Sequence, residues 1–231
     1  MDKKGIIYYT DNRLGEPIFS AVQQQLLKSG LPIVSVSLAP ITFGRNIVRV
    51  GEPGYISMVD QIVTALEASG ADYVFFCEHD VLYHPSHFDF TPAKDDVYYY
   101  NMNNWRWAYP GNKVIRYDGL TSLSQLCVRR SLALTHFKTR QERMLAIGLE
   151  KFRTKDPHHA RLWGYEPGRK SVGSGSWYSP SPNIDIRHAT TFTLRKVGLK
   201  DFRIKPTGWI ETTLDNIPGW DVQSLFTYGR P

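Results

Sequence analysis

The chain has 231 residues, 42% of them hydrophobic, and a formal net charge of +6. That length and apolar content fit one domain with a sizeable core. Cys77 and Cys127 sit in apolar strand-like runs and read as reduced core residues, which argues against a disulfide framework or a zinc site.

The first half alternates strand and helix. Gly5 to Tyr9 reads as a strand ending in Thr10-Asp11-Asn12-Arg13. Glu16 to Ser29 reads as a helix, with Pro17 near its start, Gly30 at its end, and Ile18, Phe19, Val22 and Leu26 on one face. Pro32 to Leu38 is a second strand, followed by a loop containing Pro40, Gly44, Gly51, Pro53 and Gly54. Tyr55 to Ser69 is a second helix, with Ile56, Val59, Ile62, Val63 and Leu66 at helical spacing and Gly70 as its stop. Asp72 to Cys77 is a strand buried on both faces, running into Glu78-His79-Asp80. Strands joined by helices in this way predict a doubly wound, mostly parallel sheet.

The second half is less regular. Asp96 to Asn101, Val114 to Tyr117 and Ser122 to Val128 read as strands, and Arg140 to Phe152 as a basic amphipathic helix. Gly164 to Asn183 has the composition of a mobile loop. The tail from Phe202 to Pro231 shows no clear periodicity. No internal repeat and no linker divides the chain.

Glu78 to Asp80 is where chemistry is expected. Ligand sites in open α/β sheets gather at the carboxyl ends of strands. Alternation along an extended chain would point Glu78 and Asp80 the same way and His79 the opposite way. Two carboxylates converging there can seat a divalent cation, which in turn can hold a diphosphate. The plainer alternative is a polar turn after a core strand. The P-loop, G-x-G-x-x-G, C-x-x-C, H-x-E and G-x-S-x-G patterns are all missing, which argues against the chemistries they serve.

Taken in order, these features resemble the GT-A glycosyltransferases, especially family-2-like members. Thr10-Asp11-Asn12-Arg13 resembles their T-x-N-R turn at the nucleotide base. Glu78-His79-Asp80 resembles their DxD motif in an ExD form, and Glu78 to Phe90 resembles a bacterial and phage subgroup. Pro182 to His188 resembles the segment that returns a metal-binding His to that motif. The resemblance covers roughly residues 5 to 200. It implies a GT-A-type α/β domain over 1–231, Rossmann-like, with a mostly parallel sheet flanked by helices and an irregular acceptor-side C-terminal part. Residues up to about 95 would bind the nucleotide sugar and 96–231 the acceptor.

The same resemblance assigns roles. Asp80 and His188 would bind Mn²⁺ or Mg²⁺. Thr10, Asn12, Arg13 and Glu78 would border the donor, a UDP-sugar foremost. Many family-2 enzymes carry an E-D pair as base; here Leu162 to Gly168 offers Glu166 as its one acid. That leaves Glu166 either the base of an inverting transfer or an exposed loop residue. Trp105, Arg106 and Trp107 either form an acceptor platform or pack in the core. His84 and His87 flank Pro85, which starts a helical turn, and read as shaping the loop. Adjacent His158 and His159 form a poor metal pair.

Neither a signal peptide nor an apolar run long enough to span a bilayer is visible. A cytoplasmic protein is expected, in the host cytoplasm if the chain is phage-encoded. Lys and Arg thicken over 138–155 and 195–205. This suits an anionic partner (nucleotide, nucleic acid or acidic membrane surface) or an ordinary solvated face. The acceptor is therefore open between a saccharide and a hydroxymethylated pyrimidine in DNA. Nucleotidyl transfer and non-catalytic nucleic-acid binding are the competing functions.

Overall fold

The computed structural model describes residues 2–147, 167–168, 173–191 and 195–226. Its main sheet begins with β1 (Lys4–Thr10), β2 (Ile33–Ser37), β3 (Arg45–Val48) and β4 (Tyr73–Glu78), linked through α1 (Ile18–Leu27) and α2 (Tyr55–Ala68). β6 (Tyr98–Asn101), β9 (Leu126–Arg129) and β10 (Ser174–Trp177) complete the order β10-β6-β9-β4-β1-β2-β3. β9 runs antiparallel to both its neighbours, and the other pairings are parallel. The expected α/β fold with a mostly parallel central sheet is the one observed.

Alternation along the central strands divides the core into two layers. On one face, Ile6 and Tyr8 of β1 and Phe75 and Cys77 of β4 pack with Ile18, Val22 and Leu26 of α1. On the other, Ile7, Tyr9, Val74 and Phe76 pack with Val59, Ile62 and Leu66 of α2 and Phe137 of α3 (Arg130–Ile147). Both layers are aliphatic and aromatic interiors, the main favourable term in folding. Both cysteines are free and buried, as expected.

A second sheet joins β5 (Val81–Leu82), β7 (Asn104–Trp107), β8 (Lys113–Arg116), β11 (Asn183–Ile186) and β12 (Ile210–Thr213) in the order β12-β8-β7-β11-β5. It packs on the α1 face, where Trp105, Trp107, Val114, Ile184 and Ile186 enter the first core layer. A short helix, α4 (Val222–Leu225), follows in the tail.

Several elements differ from the sequence reading. β3 lies in the expected loop; its Arg45–Val48 side chains are half-buried or exposed, so no apolar run marks it. β10 lies within the expected mobile loop. Its Gly175 lets it approach β6, where an added Cβ would fall 2.6 Å from the Tyr99 ring. α3 starts ten residues earlier than expected, at Arg130. The Arg130 side chain donates to the carbonyls of Ala71 (3.0 Å) and Leu66 (3.2 Å), answering acceptors at and just beyond the end of α2. His158, His159 and Glu166 lie outside the described residues.

Candidate metal and nucleotide site

β4 ends at Glu78, and the chain turns through His79 and Asp80 into β5. The strict alternation expected across Glu78-His79-Asp80 therefore stops at the strand end. Glu78 keeps the orientation of Phe76, toward the α2 side, and its Oε1 accepts a hydrogen bond from the Tyr9 hydroxyl at 2.7 Å. Its amide donates to the Tyr83 hydroxyl at 2.9 Å, and that hydroxyl donates to the Ser124 carbonyl at 3.1 Å. Asp80 turns elsewhere, toward His188.

His79, Asp80 and His188 each offer a ligand atom, and the three atoms lie within 4.8 Å of one another. His188 Nε2 is 3.4 Å from Asp80 Oδ2. That nitrogen is buried and makes no hydrogen bond. His188 Nδ1 is 3.0 Å from the Thr190 hydroxyl. The opposite ring nitrogen, Nε2, faces Asp80 and the His79 ring, whose centroid is 6.4 Å from that of His188. A buried imidazole nitrogen 3.4 Å from a buried carboxylate, with a second imidazole beside them, suits a divalent cation.

The electrostatics separate the two acids. Burial opposes ionisation of Asp80, but the approach of His188, then His79 and Arg187, outweighs it and holds the carboxyl below the ordinary aspartate range. Burial pushes the Glu78 carboxyl the other way, up to about 8, and the neighbouring Asp80 charge adds to the rise against the Tyr9 hydrogen bond. One acid is set up as an anion and the other as a proton holder.

Behind them lies a buried ion cluster that the sequence did not announce. Asp185 on β11 sits in register with Arg106 on β7 and Val81 on β5. Its Oδ2 is 3.4 Å from Arg106 Nε, and its Oδ1 is 3.3 Å from the Arg187 guanidinium. Burial raises the Asp185 carboxyl in spite of Arg187 and Arg106. The Arg106 guanidinium also lies 5.4 Å from the centre of the Tyr117 ring.

The residues expected at the nucleotide divide into two sets. Thr10 is buried; its hydroxyl accepts from the Asn12 amide at 3.0 Å and its carbonyl from Gln61 Nε2 at 2.7 Å. Asn12 adopts φ of +60°, and its Oδ1 accepts from the amides of Leu38 (2.8 Å) and Ala39 (2.9 Å). Both side chains thus build the turn that ends β1. Arg13, paired with Asp11 at 2.6 Å, faces a cleft of about 290 Å³ that it shares with Ile18, Tyr109, His188, Thr190 and Arg195. Tyr109 and Arg195 carried no motif signal, being brought there by the β7–β8 turn and by the chain beyond β11.

Trp105 and Trp107 are only 8% and 4% exposed. Trp107 Nε1 donates to the Gly111 carbonyl at 2.6 Å, and both indoles belong to the core layer beneath α1. Of the two readings weighed for them, core packing is the one this burial fits; neither ring can stack on an acceptor without displacing neighbours. His87 is likewise internal. Its Nδ1 receives the side-chain amides of Asn101 and Asn183, each at 3.0 Å, and burial pushes the imidazole down to about 3.

No family model matches the sequence, and no curated protein does. Among solved structures, the chain is similar to a glycosyltransferase involved in the glycosylation of the major capsid of PBCV-1, at TM-score 0.48 and 9% identity, over 76% of this chain and 82% of that one. It is similar to a nucleotidyl transferase from Methanothermobacter thermautotroptrophicus at TM-score 0.42 and 12% identity, over 59% of this chain and 76% of that one. It is also similar to the glycosyltransferase GlyE of Streptococcus pneumoniae TIGR4, at TM-score 0.44 and 8% identity, over 74% of this chain and 44% of that one. Scores at this level mark loosely similar α/β sheets and assign no activity.

Among the described residues, no helix is long and apolar enough to cross a membrane.

Proposed function

We propose that this chain is a metal-dependent glycosyltransferase that moves a sugar from a nucleotide-sugar donor to an acceptor hydroxyl. The observation that carries the reading is the convergence of His79, Asp80 and His188 at the carboxyl end of β4, beside a cleft bordered by Arg13 and Arg195. Two imidazoles and a carboxylate suit Mn²⁺ better than Ca²⁺, with Mg²⁺ as the harder alternative. A cation bound there would offset the charge growing on a departing nucleoside diphosphate.

The chain's own groups supply the rest. Arg13 and Arg195 face the cleft as fixed cations for phosphate oxygens. Thr190 orients the His188 ring, and Asp185 braces Arg106 and Arg187 behind the acids. In an inverting transfer, a carboxylate must deprotonate the acceptor hydroxyl as it attacks the anomeric carbon. Glu166 is the residue we assign to that step, on the sequence resemblance. A UDP-sugar is the donor we favour, with hexose and pentose both to be tested. The acceptor is a saccharide or a hydroxymethylated pyrimidine in DNA.

The test is diphosphate release from a panel of nucleotide sugars with Mn²⁺, with and without hydroxymethylated duplex DNA. Metal-dependent release that falls at least about 100-fold in Asp80→Ala supports the reading. Stimulation by the modified DNA names the DNA acceptor; turnover without stimulation points to a saccharide. Pyrophosphate release from a nucleoside triphosphate and a sugar phosphate would mean nucleotidyl transfer. A folded protein that binds DNA and turns over no donor would be a binding protein.

A further inference from the structure

Beyond the cleft, Arg195 opens a basic segment that also exposes aliphatic side chains. Residues 195–205 carry five basic side chains (Arg195, Lys196, Lys200, Arg203 and Lys205) and one acid, Asp201. Asp201 is engaged locally: its Oδ2 accepts from the amides of Val197 (3.0 Å) and Gly198 (2.8 Å), which fixes the turn before Leu199. Aliphatic side chains stand out among the cations. Ile204 is 84% exposed, Ile210 42% and Leu199 39%. Ile204 stands between Arg203 and Lys205, so an apolar side chain and two cations are offered to solvent together.

The segment rests on a packed aromatic base. The rings of Tyr117, Phe202 and Trp209 pack on one another, with centroids 5.0 Å (Tyr117–Phe202), 5.9 Å (Phe202–Trp209) and 6.1 Å (Tyr117–Trp209) apart. Lys196 Nζ lies 5.2 Å from the centre of the Phe202 ring. β12 then ties the far end of the segment to β8, and the Asp118 amide donates to the Thr207 carbonyl at 3.0 Å.

We propose that the 195–210 surface docks on an anionic lipid bilayer, with Ile204 and Leu199 entering the headgroup boundary and the surrounding Lys and Arg side chains meeting lipid phosphates. Charge complementarity supplies the attraction, and exposed aliphatic side chains supply the reason for choosing a bilayer. A nucleic acid would be gripped by the same cations, but it offers little to an isoleucine and stacks on aromatic faces. Here the three rings pack on one another and are half-buried, whereas the most exposed apolar side chains are the aliphatic Leu199, Ile204 and Ile210. A basic surface with protruding apolar side chains is what binds the interface of anionic membranes without spanning them. Because Arg195 belongs to both, the docked cleft would open close to the bilayer surface. The proposal stands whether or not the chain is a transferase.

The test is co-sedimentation of the full chain with vesicles of phosphatidylglycerol and phosphatidylcholine in equal parts, against vesicles of phosphatidylcholine alone. Binding to the anionic vesicles, weakened by salt and nearly absent on the neutral ones, is expected. Lys200→Glu combined with Lys205→Glu should lower it at least about 10-fold. Ile204→Ser should lower it roughly 10-fold with the charge unchanged. All three positions are exposed, and near-ultraviolet circular dichroism would verify that the variants stay folded. Absence of binding, equal binding to neutral vesicles, or binding indifferent to Ile204→Ser would overturn the proposal. So would a preference for single-stranded DNA over the anionic vesicles at equal salt.

Discussion

The amide of Ile186 donates to the carbonyl of Asp80 at 2.8 Å. This backbone bond extends the antiparallel pairing of β11 with β5, in which Asp185 faces Val81 and Ile184 faces Leu82. On the other side, the Arg187 amide donates to the Trp107 carbonyl at 2.8 Å. Clamped between β5 and β7, the end of β11 has one position, and it sets His188 Nε2 3.4 Å from Asp80 Oδ2. Both side chains are placed by strand pairing, as a preorganised site would require if the proposed metal binds there.

Thr190 should tune that site without touching the cation. Its hydroxyl meets His188 Nδ1 at 3.0 Å, and a proton held there on Nδ1 would leave Nε2 free to bind a cation. Thr190→Val is expected to weaken Mn²⁺ binding, followed by titration calorimetry, about 10- to 100-fold, and Thr190→Ser to restore most of it. His188→Ala should weaken it further. Unchanged Mn²⁺ affinity in Thr190→Val would mean that His188 is not a ligand through Nε2.

The Asp185 cluster should behave as a coupled unit. Asp185→Asn leaves two guanidinium groups near each other with their shared carboxylate gone, and a loss of about 3–5 kcal/mol in urea unfolding is expected. Arg106→Met alone should cost less, since Arg187 still answers Asp185 at 3.3 Å. In a double-mutant cycle the pair should deviate from additivity by at least about 0.5 kcal/mol. Strict additivity would show the 3.4 Å approach of Arg106 to Asp185 to be energetically empty.

Asn12 is expected to matter for stability before ligand binding. It holds a left-handed φ of +60° and ties the end of β1 to the end of β2 through Leu38 and Ala39. Asn12→Ala removes those bonds and leaves at a left-handed φ a residue without the side chain that makes it tolerable, so a loss of about 1–3 kcal/mol is expected. Asn12→Gly keeps the φ and should cost less. Equal stability of all three proteins, together with altered donor binding, would move Asn12 back to the nucleotide.

What could be read in the sequence follows burial. β1, β2 and β4 are covered on both faces, so they announce themselves as apolar runs, and α1 and α2 show helical spacing. β3, β10 and β12 carry no such pattern because their side chains are half-buried or exposed; tertiary pairing makes them strands. At the site, Asp80 was visible because it follows a buried strand. His79 was not, because alternation was extended past Glu78, where the backbone turns. Trp105 and Trp107 could be core or platform by composition alone. Only the position of β7 between β8 and β11 shows that they are covered.

His87 should make the protein lose stability as the solution turns acidic. It is fully buried among Phe75, Tyr83, Phe88 and Trp177, and its Nδ1 accepts from Asn101 and Asn183. Acceptance at Nδ1 requires the neutral ring, and burial holds the folded-state value at about 3. An unfolded chain titrates its histidine near 6.5. The depressed value means that the folded state binds fewer protons than the unfolded state between those two points. The contribution is therefore intact above about pH 6.5 and is lost as the pH falls toward 3, by up to about 1.4 kcal/mol per unit. Urea unfolding at steps from pH 7 to pH 4.5 should show this slope in excess of what the carboxylates contribute. His87→Leu should flatten it while costing about 1–3 kcal/mol at neutral pH, because the Nδ1 acceptor is lost to both amides, although each keeps a second acceptor, Ser179 Oγ for Asn101 and Gln125 Oε1 for Asn183. An unchanged pH slope in that variant would show that the buried imidazole is not the group responsible.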